Sequence, residues 1–463
     1  MINLPDIQQV YFIGIGGIGM SAVARYFSAQ GVKVSGYDRA PTTLTRMLEA
    51  AGIDVRYEEN VETLPKIVDL VVYTPAVPAT NTALIYYREN GYTVMKRSEV
   101  LELITTESVN ICIAGTHGKT TISTMTAHIL RHSGMGCNAF LGGISKNYNT
   151  NFWGYKGALC VIEADEYDRS FLKLHPDTAV ISSMDADHLD IYGTEESLQD
   201  AFLEFSYKVK PGGMLLSKYG LPRSKEMNPA HHLTYSLLND MADVYAGEVQ
   251  IKEGTSHFNV HIQGETLYDM TLTMGGMHNV ENALAAIAVS RHAGVNTEKI
   301  RAALLAFAGI KRRFEYVVKD GRVTYIDDYA HHPAELTALL KGARSIFPGQ
   351  KITLIFQPHL FSRTKDHAEE FAHSLELADE VILLPIYPAR ELPMEEVSSE
   401  MIQKKMHQHH SKIMSKEETL HYLEAVYAPQ LDYDMKQVII TAGAGDIDQM
   451  VEKIKLILEK LEW

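Results

Sequence analysis

The chain has 463 residues, of which 46% are hydrophobic and 22% are charged, a composition typical of a soluble globular protein. The net charge of −15 argues against a general nucleic-acid binder or a protein of anionic membrane surfaces. No apolar run approaches the roughly 18 residues of a membrane span. The three cysteines are widely separated, which favours buried structural positions in a reducing cytoplasm, the expected location.

Apolar strands alternate with helix-length segments along most of the chain, which predicts an α/β protein with parallel sheets. Glycine turns follow strands at three widely spaced places, which indicates separate domains rather than a short repeat. We place one domain boundary near residues 105–108, a polar patch before the second glycine turn, and another near residues 309–313, where a helix of small residues ends. The predicted domains are residues 1–106, 107–312 and 313–463.

The first glycine turn follows a predicted strand at Val10–Ile13 and precedes a helix-like segment at Ser21–Gln30. Its glycines permit a tight turn and let a diphosphate approach the N-terminus of a helix. Asp38 ends the next strand, about 20 residues later, where a carboxylate can accept from a ribose hydroxyl or a base N–H. Alone, this pattern would suggest an NAD-dependent dehydrogenase. The candidate residues of the turn are Gly16, Gly17, Ile18 and Gly19.

The second glycine turn predicts a site for the β- and γ-phosphates of ATP or GTP. An apolar strand from Ile111 runs into a short glycine loop, and Lys119 and Thr120 open the next helix. Backbone N–H groups hold the anion, the lysine adds charge, and the threonine can reach a magnesium ion. The candidate loop residues are Gly115, Thr116, His117, Gly118, Lys119, Thr120 and Thr121.

Two acidic clusters follow the next apolar strands and predict magnesium ligands beside these phosphates. The residues are Glu163, Asp165, Glu166 and Asp168 in the first cluster, and Asp185, Asp187, His188 and Asp190 in the second. Helix capping and turn formation are equally good explanations for Asp168, Asp185 and Asp190. A dinuclear metallohydrolase could use the same residues, but it would not need Lys119 in a glycine loop.

Further polar groups occur later in the chain. Asn279 and Asn282 share one helix face and could grip an adenine or ribose, although one asparagine could simply cap the helix. Lys311, Arg312 and Arg313 form either a phosphate clamp or a basic surface patch. Polar groups after three successive strands, including two later clusters, predict one cleft suited to a carboxylate. These clusters contain Asp327, Asp328, Tyr329, His331 and His332, and then His359 and Arg363.

Together these motifs resemble the Mur ligase family. Eight motifs occur in the family's order: Gly-Ile-Gly-Gly-Ile-Gly-Met, Gly-Thr-His-Gly-Lys-Thr-Thr, Glu-Ala-Asp-Glu, Asp-His-Leu-Asp, His-Asn-x-x-Asn, Arg-Arg-Phe, Asp-Asp-Tyr-Ala-His-His-Pro and Phe-Gln-Pro-His. The resemblance implies an N-terminal Rossmann-like domain for UDP, a central P-loop ATPase domain and a C-terminal Rossmann-like domain that closes over the site.

The resemblance also implies a reaction. ATP and Mg²⁺ would activate the lactyl carboxylate of UDP-N-acetylmuramate as an acyl phosphate, and L-alanine would attack it, giving ADP and phosphate in peptidoglycan precursor synthesis. The alternative is a recycling ligase that attaches an intact tripeptide to the same sugar nucleotide. We expect no nucleic-acid or membrane partner, and a monomer or weak homodimer. A non-enzymatic nucleotide switch is a further alternative.

The resemblance implies roles for the residues that match the family's motifs, and these roles are expectations. Lys119 neutralises phosphate charge, and magnesium is held by Thr120, Glu163 and His188. The ATP base and ribose contact Asn279 and Asn282, and Arg313 and Asp328 join the nucleotide site on closure. The alanine and carboxylate end is lined by Tyr329, His331, His359 and Arg363, whereas Gly16, Gly17, Ile18, Gly19 and Asp38 hold UDP. His188 and His331 are both candidates for the general base.

Overall fold

The computed structural model describes residues 3–106, 108–227, 229–252, 254–389, 391–407, 411–431 and 435–460, with all side chains in these ranges except those of residues 189 and 190. Its strands form three sheets, which confirms the predicted α/β architecture. The chain divides into two compact units. The first comprises Met1–Gln250, His257–Leu272 and Val280–Ala308, and the second comprises Ile251–Ser256, Thr273–Asn279 and Gly309–Trp463. The three-domain boundaries stay predictions.

The first sheet is a five-stranded parallel sheet of Rossmann type. Its strands are β1 (Gln9–Ile13), β2 (Lys33–Tyr37), β3 (Asp54–Arg56), β4 (Leu70–Tyr73) and β5 (Val94–Lys96), in the order β3-β2-β1-β4-β5. Its helices are α1 (Ile18–Ala29), α2 (Thr43–Ala50), α3 (Thr82–Glu89) and α4 (Arg97–Thr106). The strand order reverses beside β1, and ligands bind at such switch points. The first glycine turn lies there.

The second sheet has ten strands and carries the second glycine turn, the predicted phosphate loop, near its middle. Its strands are β6 (Val109–Ala114), β7 (Asn138–Ser145), β8 (Thr150–Trp153), β9 (Leu159–Glu163), β10 (Thr178–Ile181), β11 (Met214–Lys218), β12 (His231–Ser236), β13 (Val244–Lys252), β14 (Thr255–Ile262) and β15 (Glu265–Leu272). They lie in the order β15-β14-β13-β12-β11-β10-β6-β9-β7-β8. Its helices are α5 (Lys119–His132), α6 (Leu189–Tyr192), α7 (Glu195–Tyr207), α8 (Met277–His292) and α9 (Thr297–Leu305).

Strand β6 places three functional loops side by side. It pairs in parallel with β10 on one side and with β9 on the other, so Ala114, Ile181 and Glu163 end neighbouring strands at the same edge. Residues 110–114 of β6 are all buried, as an apolar strand covered on both faces requires. The loops after β6, β9 and β10 therefore meet, as the sequence predicts. All three cysteines are free and buried, as expected.

The first two sheets belong to one unit and share packed elements. The Tyr26 ring on α1 lies 5.6 Å from the ring of Phe140 and 6.1 Å from that of Phe152, on β7 and β8. The buried Asn151 on β8 donates to the carbonyl of Ile18 at 2.6 Å and to Ser21 at 2.9 Å. These contacts tie the start of α1, beside the first glycine turn, to the second sheet.

The third sheet has six strands, five of them parallel. Its strands are β16 (Glu315–Lys319), β17 (Val323–Asp328), β18 (Lys351–Phe356), β19 (Glu380–Leu383), β20 (Ser411–Ile413) and β21 (Gln437–Ala442), in the order β16-β17-β21-β18-β19-β20 with β16 antiparallel. Its helices are α10 (Pro333–Ile346), α11 (Phe361–Asp366), α12 (Ala368–Leu375), α13 (Ser399–Gln403), α14 (Lys416–Tyr422) and α15 (Asp448–Glu459). Within the described ranges, no helix combines the length and apolarity needed to cross a membrane.

Candidate active site

The loop after β6 has a backbone that requires glycine at two positions. Gly115 has a φ of +133°, and a Cβ there would lie 2.1 Å from the hydroxyl oxygen of Ser182. Gly118 has a φ of +85° and directly precedes α5. Side chains are strained at such angles, whereas glycine adopts them readily. The N–H groups in the first turn of α5 have no partner within the helix, and they are available to an anion.

Two serines after β10 hold this loop in place. The Ser183 hydroxyl accepts from the backbone N–H of His117 at 2.7 Å and lies 2.9 Å from the Thr116 hydroxyl. The Ser182 hydroxyl donates to the carbonyl of His117. Sequence alone does not indicate a role for either serine, because a serine after a strand has no distinctive spacing. Only the pairing of β10 with β6 places them beneath the loop.

Lys119 points back across the loop and binds Glu166. Its Nζ donates to the Gly115 carbonyl at 2.6 Å and to Glu166 Oε1 at 2.8 Å. Burial disfavours the lysine charge, but attraction to Glu166, Asp165 and Glu163 outweighs burial and raises the pKa of Lys119. The side chain of Glu166 is fully buried, which raises its own pKa, and Lys119 counters part of that shift. A charged lysine thus lies where phosphates are expected.

Glu163 forms a second acidic position beside the loop. Its Oε1 accepts from the hydroxyl of Thr120 at 3.1 Å, and its Oε2 accepts from the backbone N–H of Gly142 at 2.9 Å. Two of the three expected magnesium ligands, Thr120 and Glu163, are therefore in direct contact. The glycine on β7 leaves space for the carboxylate, since a Cβ at Gly142 would lie 2.1 Å from Oε1.

The third expected ligand, His188, lies with two other acids. Its Nε2 is 3.8 Å from Glu166 Oε1 and 3.8 Å from Asp187 Oδ2. One ligand atom from each of Glu166, Asp187 and His188 lies within 4.8 Å of the others. This set of two carboxylates and one imidazole fits a divalent cation such as Mg²⁺ or Mn²⁺. Glu166 and Asp187 belong to the acidic clusters that predict magnesium ligands, although the roles carried over by motif name only Thr120, Glu163 and His188.

The two predicted asparagines on α8 differ in their surroundings. In the first unit, Asn282 covers the phosphate loop: a Cβ at Gly118 would lie 2.7 Å from its Oδ1. In the second unit, the buried Asn279 donates through Nδ2 to the Gly275 carbonyl at 2.5 Å. Its donor therefore binds the chain before α8. Asn282 is the asparagine that the structure places beside the predicted phosphate site.

The first glycine turn is organised by Asp38. One carboxylate oxygen accepts from the Gly16 N–H at 2.7 Å, and the other accepts from the Arg39 N–H at 2.8 Å. The expected ribose contact thus coincides with a carboxylate that already supports the turn. Gly17 and Ile18 are exposed where α1 begins, and Gly19 is half-buried. This leaves the N-terminus of α1 open to an anion.

In the second unit, Asp328 ends β17 and supports the chain around it. Its carboxylate accepts from the N–H of Phe314 and from the N–H of Ala330, both at 2.7 Å. Burial raises the pKa of Asp328, and the charge of Arg313 opposes the shift. The Arg313 guanidinium lies 5.3 Å from the centre of the Tyr329 ring. The structure thus brings Asp328, Arg313 and Tyr329 together.

The remaining predicted residues of the second unit also converge. The ring of His331 lies 5.3 Å from that of Tyr329 and 5.8 Å from that of His359. Burial lowers the pKa of His331, although Glu335, whose carboxylate is 3.3 Å from Nδ1, opposes the shift. Nη1 of Arg363 is buried and has no hydrogen-bond partner among the described residues. A carboxylate is the natural ligand for such a guanidinium.

Asp327, a member of the predicted polar cluster at the end of β17, is buried and has partners within the second unit. Its carboxylate accepts from the Thr441 hydroxyl at 2.6 Å and from Arg312 Nε at 3.3 Å. Burial raises its pKa to about 7, although Arg312 and Thr441 act in the opposite direction. Arg312 also donates to the Gly443 carbonyl at 2.5 Å. Of the adjacent arginines, Arg312 therefore anchors the backbone and Arg313 is the better candidate for ligand contact.

Sequence comparison identifies three domains of one family. Residues 9–108 match the Mur ligase family catalytic domain, residues 113–290 the Mur ligase middle domain, and residues 312–445 the Mur ligase glutamate ligase domain. The matched ranges fall on the three sheets in order. They agree with the resemblance that the motifs indicate.

Full-length relatives extend this agreement. The chain is 47% identical to the UDP-N-acetylmuramate–L-alanine ligase of Cytophaga hutchinsonii, covering 99% of this chain and 98% of that one. It is 46% identical to the protein of the same name from Flavobacterium johnsoniae, and the match covers 99% of this chain and 100% of that one. The crystal structure of UDP-N-acetylmuramate-alanine ligase MurC from Thermotoga maritima matches with a TM-score of 0.81 and 28% identity, covering 98% of both chains. This chain belongs to the Mur ligase family.

Proposed function

We propose that this chain is an ATP-dependent ligase that joins L-alanine to the lactyl carboxylate of UDP-N-acetylmuramate, releasing ADP and phosphate. The observation that carries the proposal is the 47% identity, over nearly the whole of both chains, to a ligase of that name. The acidic residues around the glycine loop after β6 support the proposal, since such a ligase needs groups that hold phosphate and magnesium. The reaction is an early step of peptidoglycan precursor synthesis.

The chemistry requires activation, because a carboxylate has no leaving group that an amine can displace. Transfer of the γ-phosphoryl group of ATP to the carboxylate oxygen makes an acyl phosphate and leaves ADP. The amine then attacks the acyl carbon and expels phosphate. A loop that cradles β- and γ-phosphates suits this route, since positioning and charge stabilisation supply most of phosphoryl-transfer catalysis. Lys119 would exchange its contact with Glu166 for one with phosphate oxygens.

The donor sets described above suit two divalent cations. Thr120 and Glu163 would hold one, and Glu166, Asp187 and His188 would hold another. Bound magnesium would offset phosphate charge and polarise the group being transferred. Glu163 is oriented for this by the Gly142 N–H. Asn282, whose Oδ1 lies close to Gly118, would contact the nucleotide.

The second unit offers groups for the amino-acid substrate. The unpaired Nη1 of Arg363 would bind the amino acid's carboxylate. His331, whose pKa is lowered by burial, is neutral near pH 7 and could accept a proton from the incoming ammonium group. We propose both as substrate contacts, with Tyr329 and His359 completing the surface around them. His188 stays the second candidate for the base.

The proposed reaction would take place in a reducing compartment such as the cytoplasm. Three free cysteines, all buried, are consistent with this location. No partner macromolecule is required, and the proposal leaves the chain a monomer or a weak homodimer.

Phosphate release tests the proposal. The protein is incubated with ATP, Mg²⁺ and UDP-N-acetylmuramate, and L-alanine, glycine, L-serine or L-Ala-D-Glu-meso-diaminopimelate is added separately. Release that depends on both the sugar nucleotide and L-alanine supports the proposal. Release with the tripeptide alone would reassign the chain to a recycling ligase. Hydrolysis that ignores the sugar nucleotide would indicate a nucleotide switch instead.

A further inference from the structure

Arg97 is a cation whose role neither the motifs nor the family comparisons define. It is the first residue of α4, and its side chain is 17% exposed. Its ionic partner is Asp165, with 3.6 Å between Nη2 and Oδ2, and the hydrogen bonds among the described residues include none from its guanidinium. The N-terminus of α4 is itself electropositive and offers this cation no compensation. A largely buried guanidinium with five donors and one long ion pair is suited to bind an anion.

The guanidinium lies against the first turn of α1. A Cβ built on Gly19 would be 3.0 Å from Nη1 of Arg97, 3.1 Å from its Cζ and 3.2 Å from its Nε. Gly19 has no left-handed φ, so space for Arg97 explains the glycine better than backbone freedom does. The N-terminus of α1 is an anion site by its N–H groups and dipole. Arg97 adds a full positive charge to that site.

Arg97 also reaches toward the second sheet. It lines a small cavity together with Glu163 and Asp165, from the loop that carries the expected magnesium ligands. The same loop is held from the neighbouring position by Lys96, whose Nζ is 3.2 Å from Asp168. Lys96 is 41% exposed and ion-paired at ordinary distance, whereas Arg97 is more buried and poorly paired. Of the two adjacent cations, Arg97 is therefore the better candidate for binding a ligand.

We propose that Arg97 binds the diphosphate of the uridine nucleotide substrate at the N-terminus of α1, an assignment that rests on the function proposed above. The planar guanidinium of an arginine can donate to two phosphate oxygens at once, whereas the ammonium group of a lysine does not offer this paired geometry. The position of Arg97 against Gly19, in the first turn of α1, favours the diphosphate over the lactyl carboxylate as the group it binds. Asp165 orients the guanidinium when the nucleotide is absent.

UDP, which has the diphosphate and lacks the sugar carboxylate, is the probe for this assignment. Calorimetric titration of UDP into Arg97→Ala should show about a tenfold to hundredfold weaker affinity than the parent chain. The UDP affinity of Arg97→Lys should lie between those of Arg97→Ala and the parent chain, because lysine keeps the positive charge and lacks the paired donors of the guanidinium. Lys96→Ala, which removes the neighbouring cation, should bind UDP as the parent does. Thermal unfolding of each variant checks that it is folded.

Unchanged UDP affinity in Arg97→Ala would overturn the proposal. So would weakened binding of UDP-N-acetylmuramate with unchanged binding of UDP, because that result assigns Arg97 to the carboxylate. A parent chain that does not bind UDP at all would instead count against the proposed function. The two failures are therefore distinguishable.

A double-mutant cycle tests the contact between Arg97 and Gly19 independently. Gly19→Ala should weaken UDP binding, because the new methyl group displaces the guanidinium. In the Arg97→Ala background the same substitution should cost much less, since nothing is left to displace. Equal losses in both backgrounds would show that Gly19 is needed for another reason and would overturn the assigned contact.

Discussion

The glycine on β7 that faces Glu163 offers a sharp test of the magnesium assignment. Gly142→Ala would place a Cβ 2.1 Å from Glu163 Oε1 and 2.4 Å from its Cδ. Because non-bonded heavy atoms settle at about 3.5 Å, the carboxylate would have to retreat by roughly 1 to 1.5 Å. Gly142 has no left-handed φ, so the substitution adds no backbone strain of its own.

The retreat would break the geometry that holds the carboxylate. Hydrogen bonds from the Gly142 N–H at 2.9 Å and from the Thr120 hydroxyl at 3.1 Å would be lost or lengthened. Each such bond to a charged group contributes about 1.5–3 kcal/mol. A misplacement of 1 Å at a catalytic position can cost about a hundredfold in rate. We therefore expect kcat to fall by about this factor and the magnesium requirement to rise.

Steady-state phosphate release, measured over a magnesium titration, is the assay. Gly154→Ala is the matched control, because its nearest heavy atom would be 3.7 Å from the new Cβ and no strained φ is involved. That variant should keep the activity and magnesium requirement of the parent. A folded Gly142→Ala protein with parental kcat at parental magnesium concentrations would refute the role assigned to Glu163.

Two further predictions concern charge and stability. Lys119→Met should lower the melting temperature, because breaking a buried ion pair costs about 3–5 kcal/mol. Burial raises the pKa of Glu166 in the folded chain, so the loss of melting temperature should become larger as pH rises above 4.5, the ordinary pKa of a glutamate. Adding Glu166→Gln to the Lys119→Met variant should make that loss independent of pH. A pH-independent loss in Lys119→Met alone would contradict this account. Although burial acts to raise it, hydrogen bonds from Lys351 and Lys412 lower the pKa of Glu380 to about 2. That stabilisation is present above pH 4.5 and lost as pH falls toward 2, so the melting deficit of Glu380→Gln at pH 7 should shrink between pH 5 and pH 3. Constant deficits in melts followed by circular dichroism would exclude the ionic explanation.

Local sequence was sufficient for features that depend on a few consecutive residues. The strand before Gly115 and the helix after Gly118 follow from an apolar run that ends in a glycine turn. Pro333 begins α10, as its fixed φ and missing N–H favour. Such elements are stabilised by neighbours in the chain, so they can be read before the fold is known.

Pairings across the fold could not be read in this way. The family motifs group His188 with Thr120 and Glu163, whereas the structure sets His188 beside Glu166 and Asp187. All of these acids follow strands of one sheet, and their spacing along the chain does not reveal which ones meet. Strand order and the direction of each side chain decide that.

The sequence by itself determined the three glycine turns, the α/β class and the family, because each of them follows from short motifs and from local periodicity. Only the tertiary structure decided that Ser183 supports the phosphate loop, that Gly142 makes room for Glu163, and that Arg97 lies against Gly19. Those contacts join residues about 20 to 80 positions apart. Their partners are chosen by strand order and by the packing of α1 and α4, which no local pattern encodes.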